Sequence, residues 1–291
     1  MPSPSLFFAQ LFNGLALGSL LALVSAGLTI ILGTLGVLNF AHGAMFMVAA
    51  YVAWWTMVAT QSYVLAALAA CAVLVVLGMI IERGIIQFYY SRPPEDQILV
   101  TFGIGVVLVE VIRVIFGGIS HSMPVPDWGS GIVNMGFLIY PKYRVLALGI
   151  IAVALLALYL VLYRTRLGLI VRAGIEDQRM VGLLGINVKR TFLAVFALGS
   201  LAVGFAGAVY APIIAVNPEM GEQLLVQSFV VVVIGGLGSF PGAVIGGLIA
   251  GEILTLTTMF NPAYSHVMLY LAMAVVLVLR PQGLFGVEGR E

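Results

Sequence analysis

The chain has 291 residues, of which 62% are hydrophobic and 9% charged, with a formal net charge of +1. Soluble domains carry about 25% charged residues, so there is too little polar surface here for a water-soluble globule. The near-neutral charge also excludes the dense basic face of a nucleic-acid binder. The 34 glycines follow no Gly-X-Y period and sit inside apolar runs, which excludes collagen and flexible linkers. What remains is an all-α fold, a polytopic transmembrane helical bundle in one domain spanning 1–291.

A helix crosses the hydrocarbon core with roughly 20 apolar residues, so the length allows about eight to ten spans. Apolar runs divided by polar and proline punctuation predict nine, at about 6–35, 44–60, 63–82, 97–117, 143–163, 191–212, 224–239, 242–260 and 264–280. Pro93, Pro94, Pro124, Pro126, Pro141, Pro218, Pro241, Pro262 and Pro281 fall at run margins, where a missing N–H is tolerated. The first run is long for one span and is either tilted or two shorter pieces. Runs 224–239 and 242–260 are short, and read as spans or as half-helices meeting at a break.

The basic residues orient the bundle. Arg164, Arg166, Arg172, Arg179, Lys189 and Arg190 share the loop 164–190, and Arg83, Arg92, Arg280 and Arg290 fall on the same side of a nine-span chain. Only Lys142 and Arg144 flank the other side, so the positive-inside rule predicts the N-terminus out and the C-terminus in. The main external loop is then 118–142, with Trp128, Tyr140 and Tyr143 as expected interface anchors. The first run lacks a basic n-region and a small-residue cleavage site, and is expected to serve as its own insertion signal.

Catalytic and nucleotide motifs are missing. The two lysines, Lys142 and Lys189, stand in no Gly-Lys-Ser/Thr context, and the cluster Gly235–Gly242 fails as a dinucleotide fingerprint because Pro241 interrupts it. His42, His121 and His266 are far apart, and Cys71 is the single cysteine, so no metal site or disulfide is indicated. The chain is expected to be no enzyme, with any ATP hydrolysis performed by a partner.

The loop 164–190 places Leu167, Ile170, Val171, Gly174, Ile175 and Val181 at helical spacing, with Arg172, Glu176, Asp177 and Arg179 on other faces. This is the pattern of one short amphipathic helix ended by Gly182 and Gly185. It reads either as a helix on lipid head groups or as one that fits a groove in a cytoplasmic partner. The acidic pair Glu176-Asp177 favours the partner, because anionic lipid repels it.

Two polar or glycine-rich stretches fall at membrane depth: Leu38-Asn39-Phe40-Ala41-His42-Gly43, and Gly235–Gly242 with Gly236 and Gly238 between. Irregular backbone is tolerated there only where protein or water covers it. Each reads as a pathway-lining helix break or as a tight turn. Gly14 and Gly18, and Gly242, Gly246, Gly247 and Gly251, have GxxxG spacing suited to close helix packing. Glu110 and Arg113 can pair on one helix face. Glu252 has no partner on its own helix and is expected to face a neighbouring helix, a partner subunit or water.

These residues carry a resemblance. Gly27-Leu28-Thr29-Ile30 running into Gly36-Val37-Leu38-Asn39-Phe40-Ala41-His42-Gly43 resembles the signature of LivH-type permeases of ATP-driven (ABC) branched-chain amino acid importers. Arg172-Ala173-Gly174-Ile175-Glu176-Asp177 with Gly185-Ile186-Asn187 is similar to that family's cytoplasmic coupling loop. Gly235-Gly236-Leu237-Gly238-Ser239 with Gly242-Ala243, and Arg280-Pro281-Gln282-Gly283-Leu284-Phe285-Gly286, are similar to its later hallmarks. Ala44 departs from the pattern, where the family often has an acidic or polar residue.

The resemblance implies an importer subunit in a bacterial inner membrane. It implies a LivM-type second permease, two cytoplasmic ATPase subunits that bind ATP and Mg, and a periplasmic binding protein that delivers substrate. No cofactor is expected in this chain. Arg172, Gly174, Glu176, Asp177 and Gly185 become the expected coupling residues, and Asn39, His42, Gly43, Gly235, Gly236, Gly238, Gly242 and Glu252 the pathway or helix-break residues. Related permeases serve urea, short amides or aromatic acids. An ion-coupled carrier or channel acting alone is the competing class.

Overall fold

The structure, a computed structural model, describes residues 4–134, 136, 138–176 and 178–286; the side chains of residues 4, 5, 175, 176, 178 and 179 lie outside that description. Helices α1 (Pro4–Leu35), α2 (His42–Thr60), α3 (Tyr63–Gly84), α4 (Pro94–Phe116) and α5 (Lys142–Arg164) are followed by two short helices, α6 (Arg166–Glu176) and α7 (Gln178–Leu183). Then come α8 (Val188–Tyr210), α9 (Met220–Gly235), α10 (Phe240–Phe260) and α11 (Ser265–Leu279). The chain is a multi-pass helical membrane protein. Eight helices are long and apolar enough to span, and the ninth predicted span is the 16-residue α9. At 1.5 Å per residue α9 is about 24 Å long, shorter than a hydrocarbon core of about 30 Å.

Local chemistry sets the helix starts. Ser62 accepts from the Leu65 N–H, Asn187 from Arg190 and Ser239 from Gly242, each capping the helix that follows. Pro94 opens α4 with Glu95 and Asp96 in the first turn, where the macrodipole favours acids. The long first run is one unbroken helix of 32 residues. It is also the centre of the bundle: 83% of its spanning stretch is buried, against 17% for α4 and 11% for α11, which face outward. Its neighbours are α10, α8, α9 and α5.

Most of the described basic residues gather at one end of the bundle: Arg83, Arg92, Arg164, Arg166, Arg172, Lys189, Arg190 and Arg280 lie at or beyond the helix ends there, against Arg113, Lys142 and Arg144 at the other. The opposite end is closed by the 117–141 loop, which contains a small antiparallel ribbon of β1 (Ile132–Asn134) and β2 (Ile139–Pro141) with Val133 opposite Tyr140. His121 exchanges two backbone hydrogen bonds with Val216, both 2.8 Å, and its ring stacks on Trp54 at 4.0 Å.

Two expectations are corrected at this end. Tyr140 and Tyr143 are buried rather than set at an interface. Tyr143 donates to the Val209 carbonyl at 2.8 Å and meets the Tyr63 hydroxyl at 2.9 Å, while Tyr140 donates to Asn13 at 2.8 Å. A phenol inside must find a hydrogen-bond partner, and these two pin the loop to the bundle. Trp128 alone stays part-exposed, against Tyr63 and Tyr143.

Candidate functional site

The first break lies inside the bundle. After α1 ends, the chain turns at Gly36 and runs back into the bundle, so α2 begins beside the middle of α1. His42 Nε2 lies 3.1 Å from the Val24 carbonyl, to which it donates, leaving Nδ1 as a bare acceptor. The fully buried Asn39 accepts from the Ala41 N–H at 3.1 Å and so shapes the turn into α2. Thr101 on α4 accepts from the Phe40 N–H at 3.1 Å, and its own hydroxyl lies 3.0 Å from the Leu38 carbonyl. Thr101 stands out in nothing the sequence displays, yet it fastens the break to a neighbouring helix.

Gly43 closes the arrangement. A Cβ on Gly43 would run into the Gly221 carbonyl, and one on Gly221 into Gly43, so glycine at both positions lets the starts of α2 and α9 meet. Nearby, Ser25 Oγ donates to the Ser228 carbonyl at 3.2 Å, tying α1 to α9. Thr29 Oγ1, His42 Nδ1 and Ser228 Oγ are buried with no partner among the described residues. Buried polar atoms left unpaired cost free energy, and these three lie on α1, α2 and α9, helices joined by the His42–Val24 and Ser25–Ser228 contacts. Among the described residues no cluster of His, Cys, Asp and Glu could hold a metal.

The second break is a tight turn at the basic end. Gly236 (φ +104°) and Gly238 (φ +79°) adopt backbone conformations open to glycine, and Ser239 then caps α10. Gly235 and Gly242 bring the two helix backbones into contact. The C-terminal segment folds back onto this turn: the Leu284 and Phe285 N–H groups donate to the Ile234 and Gly235 carbonyls at 2.9 and 3.0 Å. Those carbonyls end α9 and would otherwise lack partners. Two motifs separated in the chain by α10 and α11 are therefore one structural unit.

The glycines at GxxxG spacing pack helices. Gly247 and Gly251 of α10 face Ala22, Gly18 and Gly14 of α1, while Gly242 and Gly246 face α9. Glu252 points at α1 beside Gly14, where a Cβ would lie 2.5 Å from its Oε2, and both carboxyl oxygens are buried without a partner among the described residues. Glu110 and Arg113 pair at 3.0 Å as their spacing predicts, and Arg113 also reaches Glu219 at 3.2 Å, a contact 106 residues away that no local pattern encodes.

In the 164–190 loop the chain is helical over α6 and α7, on either side of residue 177, which lies outside the described residues. Arg172 turns back onto α5, donating to the Leu162 carbonyl with its guanidinium 5.0 Å from the Tyr163 ring. Gly174 is buried against Thr34 at the end of α1, and Gly185 (φ +79°) turns the chain after α7. Val171 and Val181 are buried as the apolar spacing requires, but Leu169, Leu183 and Leu184 are well exposed. Asp177 and the side chain of Glu176 lie outside the described residues.

A central helix crossed closely by glycine-faced neighbours, in a bundle with eight helices long and apolar enough to span, is the architecture of a polytopic helical membrane protein. The chain belongs to the family of permease components of branched-chain amino acid transport systems, whose model matches residues 10–277. It is 30% identical to the high-affinity branched-chain amino acid transport permease LivH of Salmonella typhimurium, over 96% of both chains. It is also 30% identical to BraD of Pseudomonas aeruginosa, over 98% of both. LivM of Escherichia coli, also a permease of such a system, is 26% identical over 90% of this chain and 67% of its own length. No solved structure shows significant similarity.

Proposed function

We propose that this chain is one permease subunit of an ATP-driven importer for branched-chain amino acids in a bacterial inner membrane. Its basic end, with the α6–α7 loop and the C-terminus, faces the cytoplasm, and the 117–141 loop faces outward, as the distribution of arginine and lysine favours. A second, LivM-type permease completes the pathway. Two ATPase subunits bind ATP and Mg below it, and a binding protein delivers the solute from outside. The observation that carries the coupling role is the exposure of three leucines of the loop, Leu169, Leu183 and Leu184, at an end crowded with charge. Apolar side chains exposed to water in a cluster favour a protein groove. Glu176 and Asp177 are proposed as charged contacts with the partner, and Gly174 and Gly185 as the points that set the loop's angle against α1 and α8.

The test is purification of the tagged full chain in mild detergent, followed by reconstitution. The expected result is a complex with a second permease and ATPases, and leucine uptake that requires ATP and the binding protein. Uptake by this chain alone, without ATP or partners, overturns the proposal.

A further inference from the structure

A cavity of about 390 Å³ opens between α1, α2, the end of α8 and the start of α9, at the end opposite the basic one. Its volume falls within the range of about 300–1,000 Å³ typical of small-molecule sites. One wall is apolar, with Leu20 and Phe46 buried and Tyr210 above them. The other is a face of α9. Glu219, Gln223 and Gln227 recur every four residues and share that face, which descends about 12 Å from the mouth. Leu20 and Phe46 stand one helical turn from Val24 and His42, which touch each other at the first break. The cavity therefore ends about one helical turn from the His42–Val24 contact.

The lining also selects by charge. Glu219 is its one charged residue among the described lining, and its carboxylate is held by Arg113 at 3.2 Å. The deeper polar groups are neutral amides, and no side-chain hydrogen bond within the described residues engages Gln223 or Gln227. A primary amide both donates and accepts, so a stair of two amides can hand along an ammonium and a carboxylate in turn. It holds neither as a full countercharge would, and transport requires binding weak enough to leave.

We propose that this cavity is the outer half of the solute path, with Gln223 and Gln227 as transit contacts for the zwitterionic head of an amino acid. Leu20 and Phe46 receive its aliphatic side chain. The inference rests on the importer reading above and adds which residues of this chain meet the solute.

The test uses the assembled transporter in proteoliposomes, with labelled leucine as the probe. Gln223→Leu/Gln227→Leu is expected to lower uptake about tenfold or more, the loss of hydrogen bonds to charged groups. Leucine binding by the binding protein stays unchanged, and Gln227→Asn is expected to keep most of the uptake because it keeps the amide. A separate readout in intact cells is independent of transport. In a Cys71→Ser background, Gln227→Cys is expected to react with a membrane-impermeant thiol reagent added outside. Wild-type uptake by the double leucine variant, or no external labelling of Gln227→Cys, overturns the cavity alone. A wild-type complex that carries another solute and no branched-chain amino acid overturns the substrate reading on which it rests.

Discussion

The α1–α10 crossing gives a prediction whose size follows from the structure. A Cβ built on Gly247 lies 2.5 Å from the Ala22 nitrogen and 2.6 Å from its Cα, and both are backbone atoms that cannot rotate away. Ordinary contacts begin at 3.4 Å, so Gly247→Ala must part the two helices by about 0.9 Å. Separation along a crossing this long loosens many contacts at once, because dispersion falls steeply with a gap of that size. Overpacking in a tight core costs about 1–3 kcal/mol, while alanine returns up to about 1 kcal/mol in helix propensity. Against another helical Gly→Ala, which shares the propensity gain, the difference is the full amount of about 1–3 kcal/mol, or roughly 2–12 °C in thermal midpoint. The assay is intrinsic tryptophan fluorescence of the purified chain during heating in detergent. Gly103→Ala is the internal reference, since nothing lies within 4 Å of a Cβ there, and it is expected to leave the midpoint unchanged or raise it. Equal midpoints for Gly247→Ala and Gly103→Ala would refute the claim that α1 and α10 meet backbone to backbone.

Three further outcomes follow. Thr101→Val removes the acceptor for the Phe40 N–H and is expected to destabilise by about 1–3 kcal/mol; an unchanged midpoint in the same assay shows that the first break is not fastened to α4. Ser239→Ala removes the cap of α10 and is expected to cost about 1 kcal/mol, whereas Ser239→Asn is expected to keep most of it. Glu176→Lys with Asp177→Lys is expected to lower solute-stimulated ATPase activity of the assembled complex about tenfold, through repulsion and lost pairing at a partner surface. Unchanged assembly and hydrolysis would remove both residues from the coupling role.

What the sequence discloses is what periodicity and punctuation can carry. A span is defined by length and apolarity, both local properties, so eight full spans and the short ninth are legible with their ends within a few residues. GxxxG spacing disclosed which faces pack, because close approach needs small residues in a row, and Gly14 and Gly18 do meet the Gly247–Gly251 row. Local spacing is silent about pairings set by the third dimension. Thr101 is one threonine in an apolar helix, and its value comes from the Phe40 and Leu38 backbone groups that the fold places beside it. Tyr143 looks like any aromatic near a span end, and becomes a core hydrogen-bond donor only because α8 brings the Val209 carbonyl to it. Gln223 and Gln227 are the sharpest case. In sequence they lie in or beside the short predicted run 224–239 and carry no motif that singles them out; in space α9 starts within the bundle, against Gly43, so the same two amides face a cavity. A short apolar helix carrying glutamines every four residues is thus informative only once its start is located. In a membrane bundle that location is set by the glycine contact with another helix, not by the helix's own hydropathy.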